Sequence, residues 1–437
     1  MTTELMSFDA PDRSWRRVTR HPALMEYRRL AALVAAVNLT VFALGLTSGR
    51  WVADGAYALG PIADMALINL SLGILIRQQR AVHALFWLAT RVPVSWPLWI
   101  RWGAGKVFHF GGLHSGGAVA GTVWFGFLIY AMAANRLSGA ALPSDLTLGL
   151  SAAMVVLMAP MIATAIGPVR ARFHNFFEKV HRFVGWTVLG LFWAQTVSVT
   201  RDMGVALSET PAFWMLCLIT LSIASPWLTL KRVKVEIVKP SNHAVIARYD
   251  YGDTPFPGSS NAISLTPFGE YHAFANIPAP DEARYRQAIS RAGDWTGRFI
   301  DNPPSHVWVK GITTSGVARI ETLFRRVVYV GTDSGIGPIV PHLLAADVPI
   351  RLIWSTRSPR RTYGDAFVDE IMAHTEDPVI WDTDTQGKPD LSALALRAVR
   401  EFDAEAVIVI SNQKLTRKVV HDMESLGIPA FGAIWDS

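Results

Sequence analysis

The residues best suited to chemistry lie late in the chain, where Val327-Val328-Tyr329-Val330-Gly331 runs into Thr332-Asp333-Ser334-Gly335-Ile336-Gly337-Pro338. A β-branched run, then glycines, then an apolar periodic stretch predicts a strand, a tight turn and a helix start. Gly331, Gly335 and Gly337, with the hydroxyls of Thr332 and Ser334, would let backbone N–H groups close on a pyrophosphate at the positive end of that helix. The spacing departs from the ordinary dinucleotide fingerprint, so an unliganded tight turn is the competing reading. A second strand, Ile350–Trp354, leads into Ser355-Thr356-Arg357-Ser358-Pro359-Arg360-Arg361-Thr362-Tyr363. A ribose sits at the carboxyl end of such a strand, and Ser355, Arg357, Arg360, Arg361 and Tyr363 suit a 2′-phosphate; the alternative is a solvated basic loop.

The elements that must position these residues fall into two unlike halves. With 437 residues and 51% hydrophobic content, the chain is too long and too apolar for one soluble domain. Charge returns only after Lys231, which marks the main boundary. Six segments, near 29–49, 56–76, 108–134, 146–167, 176–199 and 211–230, are long and apolar enough to span a bilayer. Arg and Lys crowd the N-terminal tail and the segments after the second, fourth and sixth spans, which predicts both termini and the C-terminal module on the cytoplasmic side of a cell membrane, the inner or plasma membrane in a bacterium. The segment 78–106, broken by Arg80, Arg91, Pro93, Pro97 and Arg101, reads as helices lying in the interface. Strand and helix patterns then divide the chain into a tail (1–28), a six-helix bundle (29–231), a β-barrel domain (232–322) and an α/β parallel-sheet domain (323–437). A single cysteine, Cys217, excludes an internal disulfide, an iron–sulfur cluster and a Cys-based zinc site, so redox chemistry would need an organic cofactor or haem. The net charge of +6 flanks apolar segments and forms no basic stripe, which argues for lipid and against nucleic acid.

The module from about 233 onward resembles the ferredoxin–NADP reductase-like half of ferric reductases and NADPH oxidases. His272-Ala273-Phe274-Ala275 is similar to that family's flavin motif, with Ala273 and Ala275 replacing its Pro and hydroxyl residue; Gly293-Asp294-Trp295-Thr296 matches its pyrophosphate turn. Ser411-Asn412-Gln413 stands where relatives carry a segment beside the nicotinamide. The resemblance implies FAD on the β domain, NADP(H) on the α/β domain, and His272, Phe274 and Trp435 as flavin-proximal residues. Phe431 shares with Trp435 the expectation of an aromatic that covers the flavin, against simple packing of the last strand.

The same families hold two haems between His pairs on the third and fifth spans. Here His109 and His114 open the third and His174 and His181 open the fifth, whereas Leu128 and Ala194 stand at the outer ligand positions. At most one b-type haem, on His114 and His181, is implied; a polar rim or a lipophilic acceptor site is the alternative. The expected activity is electron transfer from NADPH through FAD to an unidentified acceptor or partner enzyme at the cytoplasmic side of the membrane. A single-haem transmembrane reductase and a catalytically degenerate redox-partner or scaffold protein are the rivals.

Overall fold

The computed structural model describes residues 15–139, 143–278 and 284–432. Uninterrupted apolar sequence makes the first half helical. By length and composition, five helical stretches are able to cross a membrane: Pro22–Thr47, Leu98–Leu137, Asp145–Ala165, His174–Met203 and Pro211–Leu228. The segment expected to span at 56–76 is shorter than that expectation. Its helix, Leu59–Leu75, has 17 residues and meets Gln79–Ala89 at a 75° bend, so it makes a sixth span only if the bent pair counts as one. The bend has a local cause, since the Gln78 side chain accepts from Ala81 N at 2.9 Å and caps a new helix.

Packing within the bundle relies on small residues and buried amides. Leu59–Leu75 and Gly111–Leu137 approach so closely that a Cβ on Gly117 would lie 2.8 Å from the Asn69 carbonyl. Asn38 and Asn69 exchange hydrogen bonds of 2.9 and 2.8 Å, and Trp124 Nε1 donates to Asn38 Oδ1 at 2.8 Å.

From Lys231 the chain builds an antiparallel sheet in the order Thr314–Ser315, Ser259–Ser264, His306–Val309, Lys231–Val238, Ala244–Tyr249, Tyr285–Ser290 and Ile277–Pro278. His272–Ala275 pairs with Ser259–Ser264 near one end, while Ile277–Pro278 pairs with Tyr285–Ser290 at the other. Asn276 therefore joins the two ends and bends the sheet into a near-closed barrel. Its amide N donates to Ser259 O (2.9 Å) and its side chain bonds Ser259 Oγ (3.0 Å) and Asn261 Oδ1 (2.8 Å). Next comes a parallel sheet ordered Val379–Asp382, Ile350–Thr356, Val327–Thr332, Ala406–Ile410, Ala430–Gly432. This is the barrel-plus-parallel-sheet arrangement that the resemblance implies.

The segment 78–106 forms two short helices, Gln79–Ala89 and Leu98–Gly105. One face keeps Trp87, Leu88, Trp96 and Trp99 exposed, but the other is not an interface with lipid at all. Val82, Phe86 and Phe108 enter the same buried cluster as Leu323, Phe324, Tyr329 and Phe431 of the α/β domain. Arg101, 3% exposed, makes a bidentate pair with Glu405 (2.6 and 3.0 Å) and donates to Leu323 O (3.0 Å). Lys106 pairs with Glu424 and donates to Ala430 O at 2.9 Å. Replacing Arg101 by Met should lower unfolding stability by about 3 kcal/mol, because Glu405 loses its bidentate partner, keeping only Arg325 (N at 2.8 Å), and the Leu323 carbonyl loses its donor. Thermal unfolding of the detergent-solubilised protein measures this, and a loss no larger than that of an exposed Arg would contradict the anchoring role.

Candidate functional site

The parallel sheet fixes one half of the site. Register sets Gly331 beside Trp354 and Ile410, and Thr332 beside Ser355, so the turn leaves the sheet between its first-formed and fourth-formed strands, where the strand order reverses. There Thr332 Oγ1 and Ser411 Oγ lie 2.6 Å apart. A Cβ on Gly335 would collide with the Ile410 carbonyl, and one on Gly331 would lie 2.7 Å from Ile339 Cδ1. These two glycines thus serve close packing of turn and helix on the sheet. Gly337 opens the helix Ile336–Ala345 against Ala288 of the barrel, and half-buried Ser334 lies in the turn itself.

The expected 2′-phosphate group divides on inspection. Tyr363 is 2% exposed and packs edge-on against Trp354 (5.3 Å), and Ser355 is buried in its strand. Both belong to the core, because the helix Pro359–Tyr363 folds back onto the sheet before Gly364 breaks it. Arg360 is held by Asp365 (3.0 Å) and Asp369 (2.7 Å), and Arg361 lies 3.9 Å from Asp384. Arg357 is exposed, and among the described residues its guanidinium has no ion pair. It is the cation at the strand end still free to meet an anion.

The barrel contributes the second half. Strand alternation sets His272 and Phe274 on one face, and both rings lie against Trp295 at 4.5 and 6.0 Å, which itself stacks on Phe299. Two motifs separate in sequence therefore meet. Thr296 Oγ1 accepts from Ala292 N (2.9 Å) and Gly293 N (3.1 Å), capping the helix Asp294–Asp301. Ala273 is exposed and Ala275 half-buried on the opposite face. The backbone from Phe274 to Asn276 is largely engaged within the barrel: Gln287 Nε2 donates to Phe274 O (3.1 Å), and the Asn276 amide closes the barrel. His272 Nε2 is buried with no hydrogen bond, and burial holds its pKa below the usual imidazole value, opposed by the Glu178 and Glu270 carboxylates. That nitrogen, 4.0 Å from the Glu270 carboxylate and without a hydrogen bond among the described residues, is open to a hydrogen-bonding group of a cofactor beside the capped helix start. Phe431, fully buried against Phe324 and Phe108, packs the last strand and covers no flavin site; Trp435 lies outside the described residues.

Sequence reasoning missed what couples this face to the helices. Arg182, in the helix His174–Met203, donates to Gly269 O at 2.9 Å. Trp227, at the end of Pro211–Leu228, stacks on Phe268 (6.0 Å) and meets Tyr271 edge-on (5.6 Å). The loop leading into His272 is thus fastened to the end of the bundle. Its aromatic content, Phe268 and Tyr271, was the available signal. Inside the bundle, His114 and His181 line one cavity of about 760 Å³, and His114 Nδ1 lies 2.6 Å from Gly73 O, leaving Nε2 as its free ring nitrogen. Two imidazoles on one cavity are the donor type that a b-type haem would use. His174, by contrast, is exposed beside Glu178, and His109 pairs with Glu26 at 3.6 Å.

Comparison with known proteins adds a name. Residues 317–437 match the family model described as Adenylate-forming reductase 03009, C-terminal domain. The chain is 40% identical to Adenylate-forming reductase 03009 of Coprinopsis cinerea, over 98% of this chain and 42% of that protein. It is 39% identical to Adenylate-forming reductase 06235 of the same fungus, with the same coverage. It therefore spans about two-fifths of the length of these relatives. Their name differs from the ferric reductases and NADPH oxidases to which the motifs pointed. Among solved structures, similarity extends to a ferredoxin NADP+ reductase from Neisseria gonorrhoeae with bound FAD and NADP (13% identity, 47% of this chain and 98% of that one, TM-score 0.37). A flavohemoglobin from Malassezia yamatoensis with bound FAD and heme aligns at 15% identity over 86% of this chain and 96% of its own, with a TM-score of 0.41.

Lys310 offers a test of the junction. Its Nζ lies over the rings of Tyr271 (4.5 Å) and Trp227 (4.7 Å), and burial, with Arg182 adding repulsion, pushes its amine down to about 8. Between about 8 and the ordinary 10.5 the unfolded chain keeps a proton that the folded chain has released, so stability rises with pH in that window. Below about 8 both states are protonated and the full cost of burying the charge is present. Lys310→Met should flatten the rise, visible as Tm plotted against pH; parallel curves for variant and parent would refute the assignment.

Proposed function

We infer that the chain is a membrane-anchored NADPH-dependent FAD oxidoreductase that passes electrons to an acceptor at, or just within, the module-facing end of its helix bundle. The observation that carries this reading is the fastening of the His272 strand to the bundle through Arg182 and Trp227, which brings the flavin motif to the helix that also carries His181. FAD, when bound, supplies hydride acceptance from the nicotinamide and onward release of electrons.

The chain's own residues have distinct tasks in this scheme. His272 and the capped turn at Gly293 would hold the FAD pyrophosphate side, with Phe274 and Trp295 giving a flat apolar wall. The Thr332 and Ser411 hydroxyls at the strand-order reversal would orient the nicotinamide end, and Arg357 the 2′-phosphate. Ala273 and Ala275 contribute no side-chain hydrogen bond, and the Phe274 and Asn276 backbone groups are engaged within the barrel, so orientation of the ring falls to packing against Phe274 and Trp295. In the relatives, the shared segment would supply the reducing half of what their name joins to adenylate formation. The apolar helices and the distribution of Arg and Lys support placing the chain in a cell membrane with the module on the cytoplasmic side.

Purified protein should carry flavin whose visible band bleaches on anaerobic addition of NADPH; flavin-free protein, or flavin that NADPH leaves oxidised, would defeat the reading. Arg357→Ala should raise KM for NADPH about tenfold or more while leaving NADH unchanged, given about 1.5–3 kcal/mol for a charged hydrogen bond. Arg360→Ala, whose guanidinium is already occupied by two carboxylates, should change little. Equal losses with both nucleotides would reject the role of Arg357.

A second reading is favoured by the two imidazoles on one cavity: His114 and His181 would hold a single b-type haem as the acceptor. His114 is oriented for this by the Gly73 carbonyl at its other ring nitrogen. A reduced-minus-oxidised spectrum without b-type bands would remove it.

A further inference from the structure

The bundle cavity does not stop at the histidines. It continues along His174–Met203 past Gln195 and Thr196 to Met203, and at that far end is bounded by Gly60, Asp64 and Thr210. From His181 to Met203 a helix rises about 33 Å. The cavity, about 760 Å³ in volume, is therefore elongated along the helix.

The walls beyond the histidines are apolar, with Phe125, Leu128, Leu216 and Ile219 among them. Polar side chains interrupt this surface at Ser71, Thr122, Gln195 and Thr196. Gln195 is 91% buried (9% exposed) and Thr196 95% buried (5% exposed); both line the cavity, and among the described residues neither side chain has a hydrogen-bond partner. A buried amide left unpaired in an apolar bundle costs about 1–3 kcal/mol, and a water would need two or more polar partners to be held there. The Gln195 amide N–H is a donor that matches a carbonyl oxygen, with the Thr196 hydroxyl on the same cavity lining. Positively charged side chains are absent from the described lining, and the one carboxylate, Asp64, lies at the far end, so an anionic ligand is disfavoured.

We propose that the far half of this cavity is a binding site for an uncharged, elongated lipophilic molecule with a carbonyl group, held by the Gln195 amide and Thr196 hydroxyl with its chain along the Leu128 wall. Such a ligand reaches the site from the bilayer, where its concentration is high. The proposal deepens the reading of an acceptor within the bundle and rests on it for its role, but not for its existence as a site.

The full chain, reconstituted in nanodiscs, is titrated with decylubiquinone as the carbonyl-bearing probe, and quenching of tryptophan fluorescence is followed; Trp186 lines the same cavity. Saturable quenching is expected in the parent. Gln195→Leu should weaken binding about tenfold, the equivalent of one hydrogen bond of about 1.4 kcal/mol, and Leu128→Trp should abolish saturation by filling the cavity. Decane, which lacks the carbonyl, should compete with the probe equally poorly in parent and Gln195→Leu. Unsaturable quenching of equal size in parent and both variants would overturn the site, as would two haems per chain in the purified protein. Circular dichroism melts of Leu128→Trp separate a filled cavity from a misfolded bundle, and Gln195→Glu provides a second variant whose charge should also exclude the probe. NADPH-dependent flavin bleaching in the same preparation distinguishes the failures: saturable probe binding with no bleaching sinks the oxidoreductase reading and leaves the site standing, whereas bleaching without saturable binding does the reverse.

Discussion

The ion pair between Arg101 and Glu405 is the contact on which the arrangement of the two halves depends. Arg101 belongs to Leu98–Leu137, a helical stretch long and apolar enough to cross a membrane, and Glu405 directly precedes the fourth strand of the parallel sheet. A guanidinium buried to this degree is tolerated only with its donors satisfied, and here the carboxylate and the Leu323 carbonyl do so. Its worth lies in specificity: a docking angle that parts the pair strands the buried Arg101 guanidinium, while Glu405 keeps only Arg325. Around it Val82, Phe86 and Phe108 add the nonspecific part, apolar area taken from water at roughly 25 cal/mol per Å².

With that joint fixed, the second one follows. The barrel is held to the α/β domain by the bidentate Arg286–Glu370 pair and by Gly337 on Ala288, so anchoring one domain carries the other onto the bundle end. Arg182 and Trp227 then meet the loop 266–271 rather than solvent. A flavin motif on a tethered, freely swinging domain would meet its acceptor by diffusion; here the chain holds it against the helix of His181.

Much of this was legible in sequence, for reasons that differ by element. The parallel sheet announces itself through β-branched runs, and Gly331, Gly335 and Gly337 through turn geometry; both are local properties. The apolar helices were equally plain, yet 56–76 misled because composition does not reveal that Gln78 caps a new helix after 17 residues. Tyr363 and Arg360 were assigned to a ligand because residue type says nothing about what lies opposite, and the opposing Trp354, Asp365 and Asp369 are tertiary facts. The two-faced segment 78–106 shows the same limit. Its charges and prolines spoke of an interface, but a helix can bury one face in protein and leave the other for lipid, and no periodicity distinguishes the two apolar partners. Phe431 and Trp435 looked equivalent until burial separated the former.

The place of Phe431 has a consequence for how the molecule comes into being. The last strand, Ala430–Gly432, rests on Phe108 and Gly105, and its Ala430 carbonyl is claimed by Lys106. Segments more than three hundred residues apart in synthesis must meet before the sheet's final edge is covered. The C-terminal module is therefore no independent passenger on its anchor: the helices made first are a template on which the last strand is seated, and the chain serves as its own assembly factor.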